Sequence, residues 1–284
     1  MLQPPLLGAR RNASGPWICT RSYRAPDVLT RPITPRYRRI RCCALLLYAL
    51  LTGQAWAAES PPNYRVGVED VDYYPIFSAA PPDYLYRGYA RDLLDLFASH
   101  ERIHLTYVPL PVRRLSHEFR AGRLDLIFPD NPRWEVAEKR QLTIAYSKPL
   151  LVFQDAMLVR PERLGEPLQN YRTLGFIRGF TPWKFQEQIA AGQVQIKHSP
   201  NPQGLIHMTL SGYIDAANMA QQVAHYHLKG QPDSLVIEPR LLPLQDSHYY
   251  LSGIQHPQLI RRFDNFLARE HKAVRALKVK YGLE

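Results

Sequence analysis

Cysteine is scarce in this chain of 284 residues, and all of it lies at one end. Cys19, Cys42 and Cys43 fall within the first 57 residues. From residue 58 onward the sequence therefore offers no disulfide, no thiol nucleophile and no thiolate metal site. A long apolar run is missing too. The stretch from Cys42 to Leu51 is shorter than the roughly 20 residues needed to span a bilayer. There is no P-loop, no dinucleotide fingerprint and no Gly-x-Ser-x-Gly elbow. His117-Glu118 lacks the second histidine of a zinc-protease helix, and the histidines of His225-Tyr226-His227 point in different directions on a helix, so no metal site is expected. A broad positive field is the last absence. The whole chain carries a formal charge of +11, but residues 1–57 hold nine Lys/Arg and one acid. The remaining 227 residues have 27 basic and 24 acidic side chains, which leaves no basis for a nucleic-acid partner.

The N-terminal segment has a recognisable order. A positive run, Arg36 to Arg41, precedes the apolar stretch Cys42 to Leu51, and Ala55-Trp56-Ala57 supplies a small-x-small cleavage site. That is the layout of a secretory signal peptide over 36–57, with cleavage near Ala57 and a periplasmic mature chain. No cysteine follows the cleavage site to carry a lipid anchor. Residues 1–35, rich in Pro and Arg without periodicity, read as a non-structural leader or a mis-called start.

The mature sequence alternates strand and helix patterns. Tyr64 to Val68 reads as a strand, Tyr89 to Phe97 as a helix, His104 to Val108 as a strand, Val112 to Ala121 as a helix and Leu124 to Phe128 as a strand. This spacing predicts an α/β sheet with crossover helices. In such sheets ligands sit beyond the carboxyl ends of strands, which places the loops after Val68 and Phe128 at one mouth. Those loops carry Glu69, Tyr73, Tyr74 and Phe77, then Asp130, Asn131 and Arg133. Aromatic walls with a few polar anchors suit a small-molecule pocket.

A second alternation follows. Leu151 to Val159 reads as extended crossover segments and Leu174 to Ile177 as a strand. After the Gly179 turn, Thr181 is placed to cap a helix running from Pro182 to about Ala191, an arrangement that favours an anion, with Arg178 close by. Further strands are predicted at 194–196, 213–217 and 234–237, with helices between them, and a single long amphipathic helix from about Pro257 to Tyr281. Pro239 and Pro243 mark the return crossover. Two α/β lobes joined by two crossovers imply a hinged cleft.

Four passages carry a resemblance: Arg65-Val66-Gly67-Val68 up to Pro75, Arg87 to Leu93, Ala121 to Asp125, and Tyr146-Ser147-Lys148-Pro149. From Tyr64 onward the chain resembles the periplasmic solute-binding proteins of family 3, the amino-acid-binding type used by ABC transporters. The resemblance implies a type II two-lobed fold, each lobe a sheet flanked by helices, with lobe 1 formed by 58–152 and 244–284 and lobe 2 by 153–243. It implies a small polar solute, an amino acid or related compound, bound without cofactor or catalysis by a monomer and passed to an inner-membrane permease or a sensor. Gly179-Phe180-Thr181 matches the family's carboxylate-holding turn, and Arg140 matches its arginine clamp by spacing, with Arg133 competing for that role because the preceding loop is longer. The family's amino-group aspartate falls at Ala220, with only Asn218 nearby. An α-amino-acid ligand is therefore not assured, and Glu69, Asp130, Asn131 and Asn218 are assigned to polar or cationic groups. The alternative is an enzyme on the same fold, similar to cyclohexadienyl dehydratase, with Glu69 as its acid/base group.

Overall fold

The apolar residues of the first segment reach high density only at its carboxyl end. In β1 (Asn63–Glu69) the last four residues are all buried, as expected for a strand covered on both faces. A computed structural model describes residues 60–231, 234–242 and 246–284; the predicted signal peptide, the leader and Pro243 lie outside the described residues. β1 sits between two parallel partners, β4 (His104–Leu110) and β5 (Leu126–Asp130). The helix α1 (Tyr89–Glu101) presents Tyr89, Leu93, Leu94 and Phe97 to the core, and α2 (Val112–Arg120) presents Leu115 and Phe119 one turn apart. Gly67 admits that second helix: a Cβ there would stand 2.4 Å from Leu115 Cδ1.

The second segment repeats this plan. β8 (Thr173–Ile177) lies between parallel β9 (Gln195–Ser199) and β10 (Ala216–Ala220), and the helix Pro202–Leu210 packs over them. Two long strands join the halves. β12 (Asp246–Gly253) pairs antiparallel with β5 at one end and with β7 (Leu151–Val159) at the other, and β7 continues antiparallel to β10. The hydrogen-bonded order β4-β1-β5-β12-β7-β10-β8-β9 is thus two parallel three-stranded units on either side of an antiparallel hinge pair. In each unit the first strand lies in the middle, so the chain order reverses there. The reversal marks the place where a ligand crevice opens in α/β sheets.

Several boundaries differ from the sequence reading. β5 starts and ends two residues later than predicted, and β10 starts and ends three residues later. The β10 shift has a local cause. The Asp215 carboxylate accepts the N–H groups of Arg172 and Thr173 at 2.8 and 2.7 Å and pairs with Arg163, holding the chain in a turn until Ala216. The predicted helix from Pro182 is also replaced, by a 3₁₀ turn over Trp183–Phe185 and a five-residue helix over Gln186–Ala190. Pro182 has ψ 55°, outside the helical range, and Trp183 N–H donates to Thr181 O at 2.8 Å, so the turn closes on itself and Thr181 caps nothing. The long C-terminal helix is two, Pro257–Arg269 and His271–Lys280, broken at Glu270 (φ −96°, ψ 25°). The break lets the last helix fold back onto α1, where Lys280 and Tyr281 reach Asp92 at 2.6 and 2.8 Å. No described helix is long and apolar enough to cross a membrane.

Candidate functional site

The carboxyl ends of four parallel strands converge. β1 delivers Glu69, β5 delivers Asp130, the turn after β8 delivers Gly179 and Thr181, and β10 delivers Asn218. Together with Asp155 from the hinge strand β7 they line a cavity of about 70 Å³. Its aromatic surface comes from Tyr73, Trp134, Phe153, Phe180, Trp183 and Tyr249.

The two halves touch across this cavity. Ala220 N–H donates to the Tyr73 hydroxyl at 2.8 Å, and the Tyr73 ring meets Phe180 edge-on at 5.4 Å. Gly179, with φ +95°, packs so near the start of α2 that a Cβ would stand 2.7 Å from Val112 Cβ. Lys184 Nζ reaches Ser247 Oγ of β12 at 3.3 Å. The cleft is closed, and its own side chains close it.

Most charges in the cavity are already matched. Asp130, 2% exposed, is ion-paired with Lys139 and accepts Ser252 Oγ at 2.6 Å and Asn131 N–H at 2.7 Å. Glu135 pairs with Arg120 at 3.0 Å. Asp155 accepts Asn218 Nδ2 at 3.2 Å and has Lys184 at 3.7 Å; burial nonetheless raises its carboxyl above the ordinary range. Glu69 is different. It is 3% exposed, and its Oε2 has no hydrogen-bond partner among the described residues. Burial first, then the nearby Asp70, Asp130 and Glu135, hold its carboxyl well above the usual carboxylate range.

The site residues expected from sequence divide into two groups. Glu69, Tyr73, Asp130, Asn131, Gly179, Thr181 and Asn218 line the cavity. Asn131 is committed to the loop, donating to His248 O and accepting Arg133 N–H, both at 2.8 Å. Phe77 stands behind the wall, stacked on Tyr73 at 5.4 Å, because the two are directly opposed in a short hairpin. Tyr74 points the other way, onto Tyr226 at 4.6 Å. The three arginines lie outside. Arg178 N–H extends the β8–β9 pairing by donating to Ser199 O at 2.8 Å, and the exposed side chain borders a separate cleft with Asp70, Asp72 and Gln203. Arg133 lies over the outer Trp183 ring at 5.4 Å. Arg140 is exposed because its neighbour Lys139 takes the inward position toward Asp130, and successive helical residues point about 100° apart. The carboxylate clamp implied by the resemblance is therefore not assembled from these arginines.

Sequence reasoning passed over Lys139, Asp155, Tyr249 and the tryptophans. One of these left a signal. Gln154-Asp155 interrupts an otherwise apolar strand, Leu151–Val159, and a carboxylate inside such a strand requires a buried partner or a purpose. Among the described residues no group of three or more His, Cys, Asp or Glu is placed to hold a metal ion.

No family model and no curated protein matches the chain in sequence. Solved structures do match in shape. The chain is similar to a histidine kinase sensor domain with similarity to periplasmic binding proteins (TM-score 0.64, 18% identity, 78% of this chain and 97% of that one). It is similar to an ancestral arginine-binding protein bound to arginine (0.62, 17%, 78% and 99%). A third match is the ancestral amino acid-binding protein AncCDT-1, a precursor of cyclohexadienyl dehydratase (0.62, 17%, 84% and 100%). The described residues adopt the two-lobed, type II periplasmic-binding-protein fold.

Proposed function

We propose that the protein is a periplasmic solute-binding protein that captures a small polar solute, an amino acid or related compound, between its two lobes. The observation that carries this reading is the convergence of four strand ends, two from each half, on one aromatic-walled cavity with an antiparallel strand pair behind it. Strands joined in that way act as a hinge, and a ligand that touches both halves biases the closed state by its differential affinity. Residues 58–152 with 244–284, and residues 153–243, are the two moving bodies of this reading. A monomer secreted by its signal peptide would pass the solute to an inner-membrane permease or present it to a sensor. The arginine, histidine and amino-acid ligands named for proteins of this shape support the size class of the solute.

The test is a thermal-shift panel of amino acids, amines, sugars and small carboxylates, followed by calorimetry on the hits. A compound that raises the melting temperature and is recovered chemically unchanged supports solute capture. A panel that leaves the melting temperature unmoved overturns it, and turnover of the stabilising compound favours a dehydratase-like enzyme instead.

A further inference from the structure

From the distribution of charge around the cavity, we infer that the solute is a small protonated amine that lacks a free carboxylate next to it. The inference rests on the solute-capture reading above and narrows its ligand class.

Among the described residues four carboxyl groups line the cavity, Glu69, Asp130, Glu135 and Asp155, against one cation, Lys139. The count alone decides nothing, because Asp130 and Glu135 have full partners in Lys139 and Arg120. What decides is the group left over. Glu69 ends the central strand of the first half, lines the cavity and is all but fully enclosed, and its Oε2 has no hydrogen-bond partner among the described residues. A buried carboxylate with no partner is costly, and an N–H-bearing cation is the complement that removes the cost. Asp155, from the strand behind the cavity, has one hydrogen bond among the described residues and a lysine at 3.7 Å, so a second amino group or an extended amine has an acceptor there too.

The walls agree. Tyr73, Trp134, Phe153 and Tyr249 present aromatic surface, which attracts cations through the ring quadrupole. Trp183 already draws two cations to its ring, Arg133 at 5.4 Å and Lys184 at 5.1 Å. Cationic donors for a carboxylate are correspondingly few. Among the described residues no arginine lines the cavity, Trp183 N–H donates to Thr181 O, and Lys139 is paired with Asp130. Bringing a carboxylate into this space would set another carboxyl group beside Glu69 and Asp155, and the cation among the described lining residues, Lys139, is already paired.

The experiment compares matched pairs that differ only by the carboxylate: agmatine against arginine, putrescine against ornithine, and ethanolamine against serine. Calorimetry and thermal shift are run on the mature chain and on Glu69→Gln, which keeps shape and removes charge. The expected result is that at least one amine binds tenfold or more tightly than its amino-acid counterpart, and that Glu69→Gln loses tenfold or more for that amine. An amino acid that binds as tightly as its matched amine overturns the inference while leaving solute capture intact, as does binding confined to carboxylates or sugars. An absence of any binding across the panel overturns the underlying reading itself. The wild-type comparison decides the matter even if Glu69→Gln folds poorly.

Discussion

Gly179→Ala separates closure of the cleft from stability of the fold. At Gly179 the backbone has φ +95°, and a Cβ added there would meet Val112 Cβ at 2.7 Å, well short of the 3.4 Å at which ordinary contact begins. Two costs follow. The backbone term, about 1–3 kcal/mol for a side chain held at such a φ, is local and persists whether the cleft is open or closed. The steric term, about 1–3 kcal/mol for overpacking, exists only while the turn after β8 presses on α2. Opening the cleft removes it. The variant should therefore lose about 1–3 kcal/mol in urea unfolding and shift its open-to-closed ratio by a further factor of roughly 5 to 150. Small-angle scattering reads the second effect as a larger radius of gyration. Adding Val112→Gly removes the wall that the new methyl strikes, so the double variant should close again, although its unfolding stability stays low and falls further by up to about 1 kcal/mol from glycine in the first helical turn. A single variant that stays as closed as wild type would refute the reasoning, as would a double variant that regains stability without regaining closure.

Other perturbations probe the same machinery. Tyr73→Phe deletes the acceptor for Ala220 N–H, a group on a residue with 0% exposure, so closure should weaken by about 1–3 kcal/mol, visible in scattering with little change in far-UV dichroism. Lys139→Met leaves Asp130 buried without its cation and should cost about 3 kcal/mol, or ~6–12 °C in melting temperature, whereas Arg140→Met, at an exposed neighbour, should stay within about 0.5 kcal/mol. Burial raises the Glu69 carboxyl, so in the folded protein it keeps its proton above the pH at which the unfolded chain releases it. The unfolded state then binds fewer protons, and stability falls as pH rises from about 4.5 through the raised folded value, by at most about 1.4 kcal/mol per pH unit for this group. Urea titrations across pH 4–8 should show a shallower decline for Glu69→Gln, with a residual slope because Asp155 is raised in the same sense; parallel curves would contradict this account.

What the sequence disclosed follows from what is local in it. Hydrophobic spacing located the starts of β1, α1, β4 and α2 to within one residue, because each buries a face whose period is visible in a single segment. Strand ends were legible to within two or three residues, and that was enough to bring Glu69, Asp130 and Asn218 to one mouth. The arginines were not legible. Which face Arg140 takes depends on Lys139 finding Asp130 nine residues earlier, and the outward turn of Arg178 depends on the pairing of its N–H with Ser199 in another strand. Thr181 has the composition of a helix cap, yet the capping geometry is lost to a ψ angle at Pro182 that nothing in the neighbouring letters dictates. Asp155 was hidden differently: the strand containing it is readable, but which of its two faces meets the cleft is set by β10 and β12 on either side.

Direct contacts bridge the halves of this cleft: Tyr73 with Ala220, Phe180 with Tyr73, and Lys184 with Ser247. A solute can then add to closure only what it gains in the closed state beyond the open one. Hydrogen bonds that merely replace existing ones add little. Glu69 is the exception, because shutting the cleft strips water from a carboxylate oxygen that has no donor among the described residues, and the protein must either take up a proton or bear the desolvation. A cation placed there removes that penalty in the closed state and finds no such reward in the open, hydrated one. Binding should therefore release a proton from Glu69 under conditions where the empty site holds it, and affinity for the amine should rise with pH until the carboxyl is ionised without help. Calorimetry in two buffers of different ionisation enthalpy reads the proton directly. Equal observed heats in both, at a pH near 6, would mean that Glu69 does not couple the solute to closure.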